Sequence, residues 1–110
     1  MNSRINAQFR TSFGYLPEQV KEQTRQAYRL FKQDPSHPSL RFKKVNPELP
    51  IYSARINKSY RAVGKLEGDT IIWFWVGSHT EYDRLLLLKK SLFAINNIMS
   101  GSVTVIKSLS

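Results

Sequence analysis

The segment IIWFWV, residues 71–76, constrains the fold of this chain more than any other part of the sequence. Isoleucine, valine and aromatic residues favour β-strands. Successive side chains of a strand point to opposite faces, so an unbroken apolar run requires cover on both sides. Residues 70–76 therefore predict a strand that is central in a sheet or covered on both of its faces.

Two further strands precede this segment. Residues 51–56, IYSARI, place Tyr52, Ala54 and Ile56 on one face, and residues 60–66, YRAVGKL, also alternate. A period of two residues is typical of a strand with two different faces. The short connections NKSY and EGD suit tight turns, the second through its glycine and acidic residues. The three strands together predict an antiparallel meander.

The first third of the chain predicts a further strand and the helix that packs on the sheet. Residues 7–13, AQFRTSF, alternate loosely and predict a first strand. A helix is expected to begin at LPEQV, since Pro17 suits the first helical position and Glu18 complements the helix dipole. It is expected to end at Asp34, because the residue before a proline disfavours helical geometry. The less polar residues at helical spacing are Val20, Thr24, Ala27, Leu30 and Phe31. The predicted fold class is α+β, a small antiparallel sheet with amphipathic helices packed on one face.

The C-terminal region adds a helical extension to this core. Apolar residues are frequent between Leu85 and Met99, and Ser100-Gly101 provides a stop. We therefore divide the chain into a domain of residues 1–84 and a C-terminal helix and tail of residues 85–110. The helix is expected either to cover the sheet or to offer a surface for self-association or for a partner.

Charge is the most informative part of the composition. The chain has 17 Lys and Arg against 8 Asp and Glu, a formal net charge of +9. Seven basic residues and one acidic residue, Glu48, lie between positions 41 and 65. Such a field attracts polyanions, of which nucleic acid is the commonest. A solvated basic face, an acidic protein partner and an anionic membrane surface are the alternatives.

Other features of the composition bear on location. The chain contains no cysteine, which excludes disulfides and thiolate metal sites and fits a reducing cytoplasm. We see no signal peptide, and the apolar segments are shorter than the roughly 20 residues of a membrane helix. We expect a cytoplasmic protein with no membrane partner.

Four side chains have the chemistry needed to cleave RNA. Antiparallel pairing can place Arg55 beside Arg61, and the third strand leads to His79 and Tyr82. Guanidinium groups clamp phosphates, an imidazole transfers protons near neutral pH, and a tyrosine stacks on unpaired bases. In the structural alternative the arginines pair with Glu48, Glu67 or Glu81, His79 caps the strand end, and Tyr82 packs at the edge of the core. His37, between two prolines, is expected to be a surface residue.

The order of four segments in this chain resembles that of the RelE/ParE toxin superfamily of bacterial toxin–antitoxin systems. The segments are LPEQV, DPSHPSLRFKKV, YSARINKSYRAV and IIWFWVGSHTEYDRLL. The resemblance covers roughly residues 7–86. It implies a compact toxin that is silenced by a cognate antitoxin protein. RelE-like members are mRNA endonucleases, many of which act on the ribosome, whereas ParE-like members inhibit DNA gyrase by protein–protein binding. An endoribonuclease, a gyrase inhibitor and an inactive antitoxin-binding relative therefore remain alternatives.

The resemblance also implies roles for individual residues. Arg61 is expected to stabilise the scissile phosphate with help from Arg55, His79 to transfer a proton, and Tyr82 to orient it or stack on a base. Glu48 lies near a general-base glutamate of one subgroup. The residues expected to bind the RNA backbone are Arg41, Lys43, Lys44 and Lys58. No metal or small-molecule cofactor is implied. More residues follow the closing motif in this chain than in most relatives. These residues are expected either to occupy an antitoxin site or to have no regulatory role.

Overall fold

The computed structural model of the chain describes residues 1–87. Five strands form one sheet in the order β1-β5-β4-β3-β2. The strands are β1 (Asn2–Ile5), β2 (Lys43–Lys44), β3 (Ile51–Arg55), β4 (Tyr60–Glu67) and β5 (Thr70–Ser78). β1 runs parallel to β5, and the other neighbouring pairs are antiparallel. The sheet is therefore mixed.

Three α-helices accompany the sheet. They are α1 (Ala7–Gly14), α2 (Glu18–Gln33) and α3, which comprises residues 79–87 of the described chain. A 3-10 helix, Pro38–Leu40, connects α2 to β2. The predicted α+β class is thus confirmed, and the sheet has in addition a parallel edge strand.

The predicted meander is also confirmed. β3 pairs with β4 from Ile51 opposite Lys65 to Arg55 opposite Arg61, and β4 pairs with β5 along its whole length. The turn between β4 and β5 contains Gly68 at φ +63°, a backbone region that glycine enters at little cost. The β4–β5 register shifts between Val63 and Gly64, as a β-bulge does.

β5 lies between β1 and β4 and is apolar on both faces, as the sequence predicts. One face packs against α1 and α2, and we call it the α1/α2 face. Its buried residues are Phe9, Leu16, Val20, Phe31, Leu40, Ala54, Ala62, Ile71, Trp73 and Val76. The opposite face packs against α3 and is called the α3 face. Its cluster consists of Leu49, Ile51 and Val63, with Val45, Phe74, Trp75, Tyr82 and Leu85 partly buried against them.

The predicted helix α2 is confirmed, and it begins at Glu18, one residue after the predicted first position. Pro17 occupies the N-cap position without a side-chain hydrogen bond, and the helix ends before Asp34. Thr24 is buried in the helix interior, where its hydroxyl donates to the carbonyl oxygen of Val20 at 2.7 Å. Phe31 packs edge-on against Trp73, with ring centroids 5.2 Å apart, and so joins the helix to β5.

The strand predicted for residues 7–13 is wrong, because this segment is helix α1. Asn6 caps it by accepting a hydrogen bond from the backbone N–H of Phe9 at 3.0 Å. Phe9 and Phe13 are four residues apart, which is a helical spacing, and their rings stack with centroids 6.2 Å apart. The first strand lies earlier, at β1, where Ser3 accepts from the indole N–H of Trp73 at 3.0 Å.

The predicted C-terminal helix lies mostly outside the described residues. Residues 85–87 are helical as expected, and they belong to α3, which begins at residue 79. Among residues 1–87, no helix is long and apolar enough to cross a bilayer.

Candidate functional site

A row of three residues crosses the α3 face near one end of the sheet. Arg55 is the register partner of Arg61, and Arg61 is the partner of Gly77. Residues paired in this way share a face, and Arg61 shares its face with Val63 of the α3-side cluster. The two arginines that the sequence analysis selected therefore lie side by side, as expected.

Arg61 has an unusual environment for a charged side chain. It is half-buried, and its Nη1 donates to the carbonyl oxygens of Asn57 at 2.7 Å and of Tyr60 at 3.1 Å. Within residues 1–87 it forms no ion pair with a carboxylate. Burial lowers the pKa of Arg61 most, and the nearby charges of Arg55 and then Arg41 lower it further, whereas Tyr82 opposes the shift. Two further guanidinium groups therefore lie close enough to Arg61 to disfavour its charge.

The indole ring of Trp75 lies over Gly77, next to Arg61. A Cβ atom at position 77 would lie 2.5 Å from Cζ2 of Trp75, closer than two carbon atoms can approach. Only glycine leaves space for the ring at this place. Trp75 is half-buried, so an aromatic surface borders the arginine row. Neither Trp75 nor Gly77 was among the predicted site residues, and a glycine within an otherwise apolar strand is the signal that could have found them.

Tyr82 and His79 stand at the start of α3. Tyr82 is half-buried against the α3-face cluster, and its ring centroid is 6.2 Å from that of His79. The imidazole of His79 is exposed, and its Nε2 lies 3.7 Å from Oδ2 of Asp83. Tyr82 thus connects the two parts of the site, since it contacts His79 and acts electrostatically on Arg61.

The position of α3 is fixed by its first turn. Ser78 and Glu81 form a capping box: the Glu81 N–H donates to Ser78 Oγ at 3.3 Å, and the Ser78 N–H donates to Glu81 Oε1 at 3.3 Å. The His79 N–H donates to the carbonyl oxygen of Ser59 at 2.7 Å, which joins α3 to the β3–β4 turn. The pattern Ser-x-x-Glu in GSHTEYDR is the sequence signal for this helix start, and the sequence analysis missed it.

The basic residues selected for RNA binding are divided between several places. Lys43 pairs with Ser53 and so shares the face of Arg55 and Arg61, whereas Lys44 pairs with Tyr52 and belongs to the opposite face. Both lysines are exposed. Arg41 follows the 3-10 helix at φ 45° and is close enough to Arg61 to lower its pKa, and Lys58 is exposed in the β3–β4 turn.

Glu48 is exposed in the loop before β3, where its backbone N–H donates to Oδ1 of Asn46 at 2.8 Å. Its carboxylate forms no ion pair with residues 1–87. No group of three or more His, Asp or Glu side chains in that range could hold a metal ion. The guanidinium, imidazole, phenol and indole groups of the site suit a phosphate and a neighbouring aromatic base.

Residues 18–84 match the family model of the ParE-like toxin domain, which covers more than half of the chain. The chain belongs to this family. The resemblance to the RelE/ParE superfamily of toxin–antitoxin toxins is thereby confirmed.

Solved structures show that this ParE-like domain shares its fold with other toxins. A chain of the RelB–RelE antitoxin–toxin complex from Methanococcus jannaschii is 21% identical, with a TM-score of 0.60 over 73% of this chain and 95% of that chain. YafQ from Escherichia coli is 10% identical, with a TM-score of 0.60 over 74% and 96%. The YoeB/ParE toxin from Agrobacterium tumefaciens is 14% identical, with a TM-score of 0.58 over 72% and 99%. No curated protein matches the sequence.

Proposed function

We propose that this toxin is an endoribonuclease that cleaves mRNA on the ribosome and so inhibits translation. The observation that carries the proposal is the environment of Arg61. The guanidinium of Arg61 is half-buried and has no carboxylate partner among residues 1–87. Because two further arginines lie close to it, its positive charge is not balanced locally. An anion relieves the repulsion between these groups, and the backbone of RNA supplies one at every nucleotide.

The first step of the proposed reaction is binding of the scissile phosphate. Arg61 is held in position by two backbone carbonyl oxygens, and its remaining N–H groups are available to a phosphate. Arg55, directly opposite in the register, contributes the second guanidinium. Together they stabilise the extra negative charge that the phosphate carries in the transition state.

The second step is transfer of the phosphoryl group to the neighbouring ribose oxygen. The 2′-oxygen attacks the phosphorus and loses its proton to a base, the bond from phosphorus to the 5′-oxygen breaks, and an acid protonates that oxygen. The products are a 2′,3′-cyclic phosphate and a free 5′-hydroxyl. His79 performs one of the two proton transfers, Tyr82 orients the imidazole or stacks on a base, and Glu48 is the candidate general base.

Basic side chains around the site supply affinity for the RNA backbone. Lys43 shares the face of Arg61, and Arg41 is close enough to lower the pKa of Arg61. Lys44 and Lys58 extend the basic surface to the sheet edge and the β3–β4 turn. These residues position RNA without reading its sequence.

We further propose that a cognate antitoxin binds and silences this toxin. The related structures from Methanococcus jannaschii, Mycobacterium tuberculosis and Escherichia coli are antitoxin–toxin complexes. We take residues 1–84 as the toxin domain and residues 85–110 as an extension of the sequence beyond it. Leu85, the first residue after the proposed domain, packs on the α3-face cluster.

Inhibition of DNA gyrase by protein–protein binding is the second candidate function. The observation in its favour is the family model, whose description names ParE. In that case Arg55 and Arg61 would contact an acidic protein surface, and no bond in RNA would break.

The two functions differ in what happens to messenger in cells. The toxin is induced alone, the 5′ ends of mRNA are mapped, and plasmid supercoiling is measured in the same culture. Cuts in phase with codons support the proposed function. Intact messenger with arrested supercoiling and a DNA-damage response supports gyrase inhibition. His79→Ala is expected to abolish the cuts, and Arg10→Ala, an exposed substitution on α1, serves as the control.

A further inference from the structure

The turn between β3 and β4 contacts both residues to which the proposed function assigns the main chemical roles. The carbonyl oxygen of Asn57 accepts a hydrogen bond from Nη1 of Arg61 at 2.7 Å. The carbonyl oxygen of Ser59 accepts from the backbone N–H of His79 at 2.7 Å. The proposed phosphate-binding guanidinium and the proposed proton-transfer residue are therefore attached to one short turn, although they belong to different elements, β4 and α3.

The side chain of Asn57 stabilises the shape of this turn. Its Oδ1 accepts from the backbone N–H groups of Ser59 at 2.7 Å and of Tyr60 at 3.0 Å, as asparagine does in many turns. Because the oxygen faces two donors, the NH₂ group points elsewhere, and it donates to Oε1 of Gln23 at 2.7 Å. Gln23 belongs to α2, so the half-buried Asn57 also fastens the turn to the helix that packs on the opposite face of the sheet.

One peptide group connects the Asn57 side chain to His79. The peptide group between Ser59 and Tyr60 donates its N–H to Asn57 Oδ1. Its C=O accepts from the His79 N–H. A peptide group is planar, so fixing its N–H end also fixes the direction of its C=O end. Asn57 therefore acts on Arg61 through its own carbonyl oxygen and on His79 through this peptide group.

We propose that Asn57 is a positioning residue that holds the guanidinium of Arg61 and the imidazole of His79 at the separation required for RNA cleavage, an inference that rests on the proposed function. In the proposed reaction the proton moves to or from an oxygen that is bonded to the clamped phosphorus in the transition state. The two side chains must therefore keep a constant separation. Asn57 needs no contact with RNA for this role. A displaced turn would shift both side chains at once, and an error of about 1 Å can lower a rate about 100-fold.

The test compares three variants that leave the net charge unchanged. Asn57→Ala removes the acceptor and the donor of the side chain. Asn57→Ser keeps a hydroxyl acceptor, which forms the same kind of turn more weakly. Asn6→Ala is the matched control, because Asn6 is also half-buried and its Oδ1 also accepts from a backbone N–H, that of Phe9, but at the start of α1.

Two measurements are made on each chain after circular dichroism and chemical denaturation have given its folded fraction. Single-turnover cleavage of messenger in a translating extract is followed as the toxin concentration rises, which gives a maximal rate and a half-saturating concentration. NMR follows the Nε–H signal of Arg61 and the position and hydrogen exchange of the His79 backbone amide. A residue that only stabilises the fold changes the folded fraction, but it leaves the maximal rate per folded chain and both signals unchanged.

We expect Asn57→Ala to lower the maximal rate per folded chain about 10- to 100-fold. The half-saturating concentration should stay within about twofold, because the basic side chains that bind the RNA backbone remain. The Arg61 and His79 signals should shift, and the His79 amide should exchange faster. Asn57→Ser should recover part of the rate. Asn6→Ala should destabilise the chain without changing the maximal rate.

Three results would overturn the positioning role. They are a wild-type maximal rate for folded Asn57→Ala, a rate for Asn57→Ser that is no higher than that of Asn57→Ala, and an equal loss of rate in Asn6→Ala. Unchanged Arg61 and His79 signals in Asn57→Ala would overturn it as well, whatever the rates.

The failure of this inference is distinguishable from the failure of the proposed function. A wild-type chain that cuts no RNA contradicts the ribonuclease function, and the catalytic role of Asn57 with it. A wild-type chain that cuts RNA at a rate that Asn57→Ala leaves unchanged contradicts the positioning role alone.

Discussion

Arg61 is the residue on which the site depends. Partial burial and two neighbouring guanidinium groups both disfavour its charge, and the lowered pKa expresses that cost. The two carbonyl oxygens of Asn57 and Tyr60 offset part of it and fix the side chain. A charged group that is held rigidly but lacks a counter-ion within residues 1–87 is prepared to bind an anion.

Gly77 is the second residue whose identity the site requires. Gly77→Ala places a methyl group 2.5 Å from the Trp75 ring, so the ring must move. We expect a loss of about 1–3 kcal/mol in the free energy of unfolding, as for other overpacked sites. Chemical denaturation measures the loss. Gly14→Ala is the matched control, because nothing lies within 4 Å of its Cβ position; a comparable loss there would contradict the assignment to Trp75.

At the scale of elements, the success of sequence reasoning followed the strength of the pattern. The apolar run of β5, the alternation of β3 and β4 and the stripe of α2 are each decided by burial along one element, so their types were predictable. α1 and β1 were missed because Asn6 and the Phe9–Phe13 spacing are short signals beside a loose alternation. The proximity of Arg41 to Arg61 and the hydrogen bond from the His79 N–H to the Ser59 carbonyl oxygen join residues distant in sequence, and no local pattern carries that information.

The capping box is the device that holds α3, and with it His79 and Tyr82, against the sheet. Ser78→Ala removes the side-chain acceptor for the Glu81 N–H and the hydroxyl that donates to Glu81. We expect the free energy of unfolding to fall by about 1 kcal/mol. Amide hydrogen exchange is expected to increase first in residues 79–82. Thr80→Ala, an exposed change in the same turn, should have a much smaller effect. Equal effects of both substitutions would show that the box does not hold the helix.

At the scale of the whole molecule, the charge distribution bears on the proposed binding of RNA. The net charge of +9 is concentrated between residues 41 and 65, and the arginine row lies within this region. Long-range attraction speeds encounter with a polyanion, and it weakens as salt screens the charges.

The dependence of RNA binding on salt measures how many phosphates the basic surface contacts. The logarithm of the binding constant for a single-stranded RNA should fall linearly with the logarithm of salt concentration, by about 0.7 per phosphate contact. Lys43→Ala is expected to reduce the slope by about one contact. Lys32→Ala, at the end of α2 over the Tyr28 ring, should leave the slope unchanged. A larger change in slope for Lys32→Ala than for Lys43→Ala would contradict the proposed RNA-binding surface.

The most direct test of the whole account is the cleavage rate of messenger in a translating extract by the wild-type chain, Arg61→Gln and Arg10→Gln. Glutamine at position 61 retains a polar side chain with an amide donor but removes the charge. Each variant is first shown by circular dichroism to be folded. We predict a rate at least about 100-fold lower for Arg61→Gln, the loss typical of a removed transition-state donor, and a wild-type rate for Arg10→Gln. A folded Arg61→Gln chain that cleaves within twofold of the wild-type rate would contradict it.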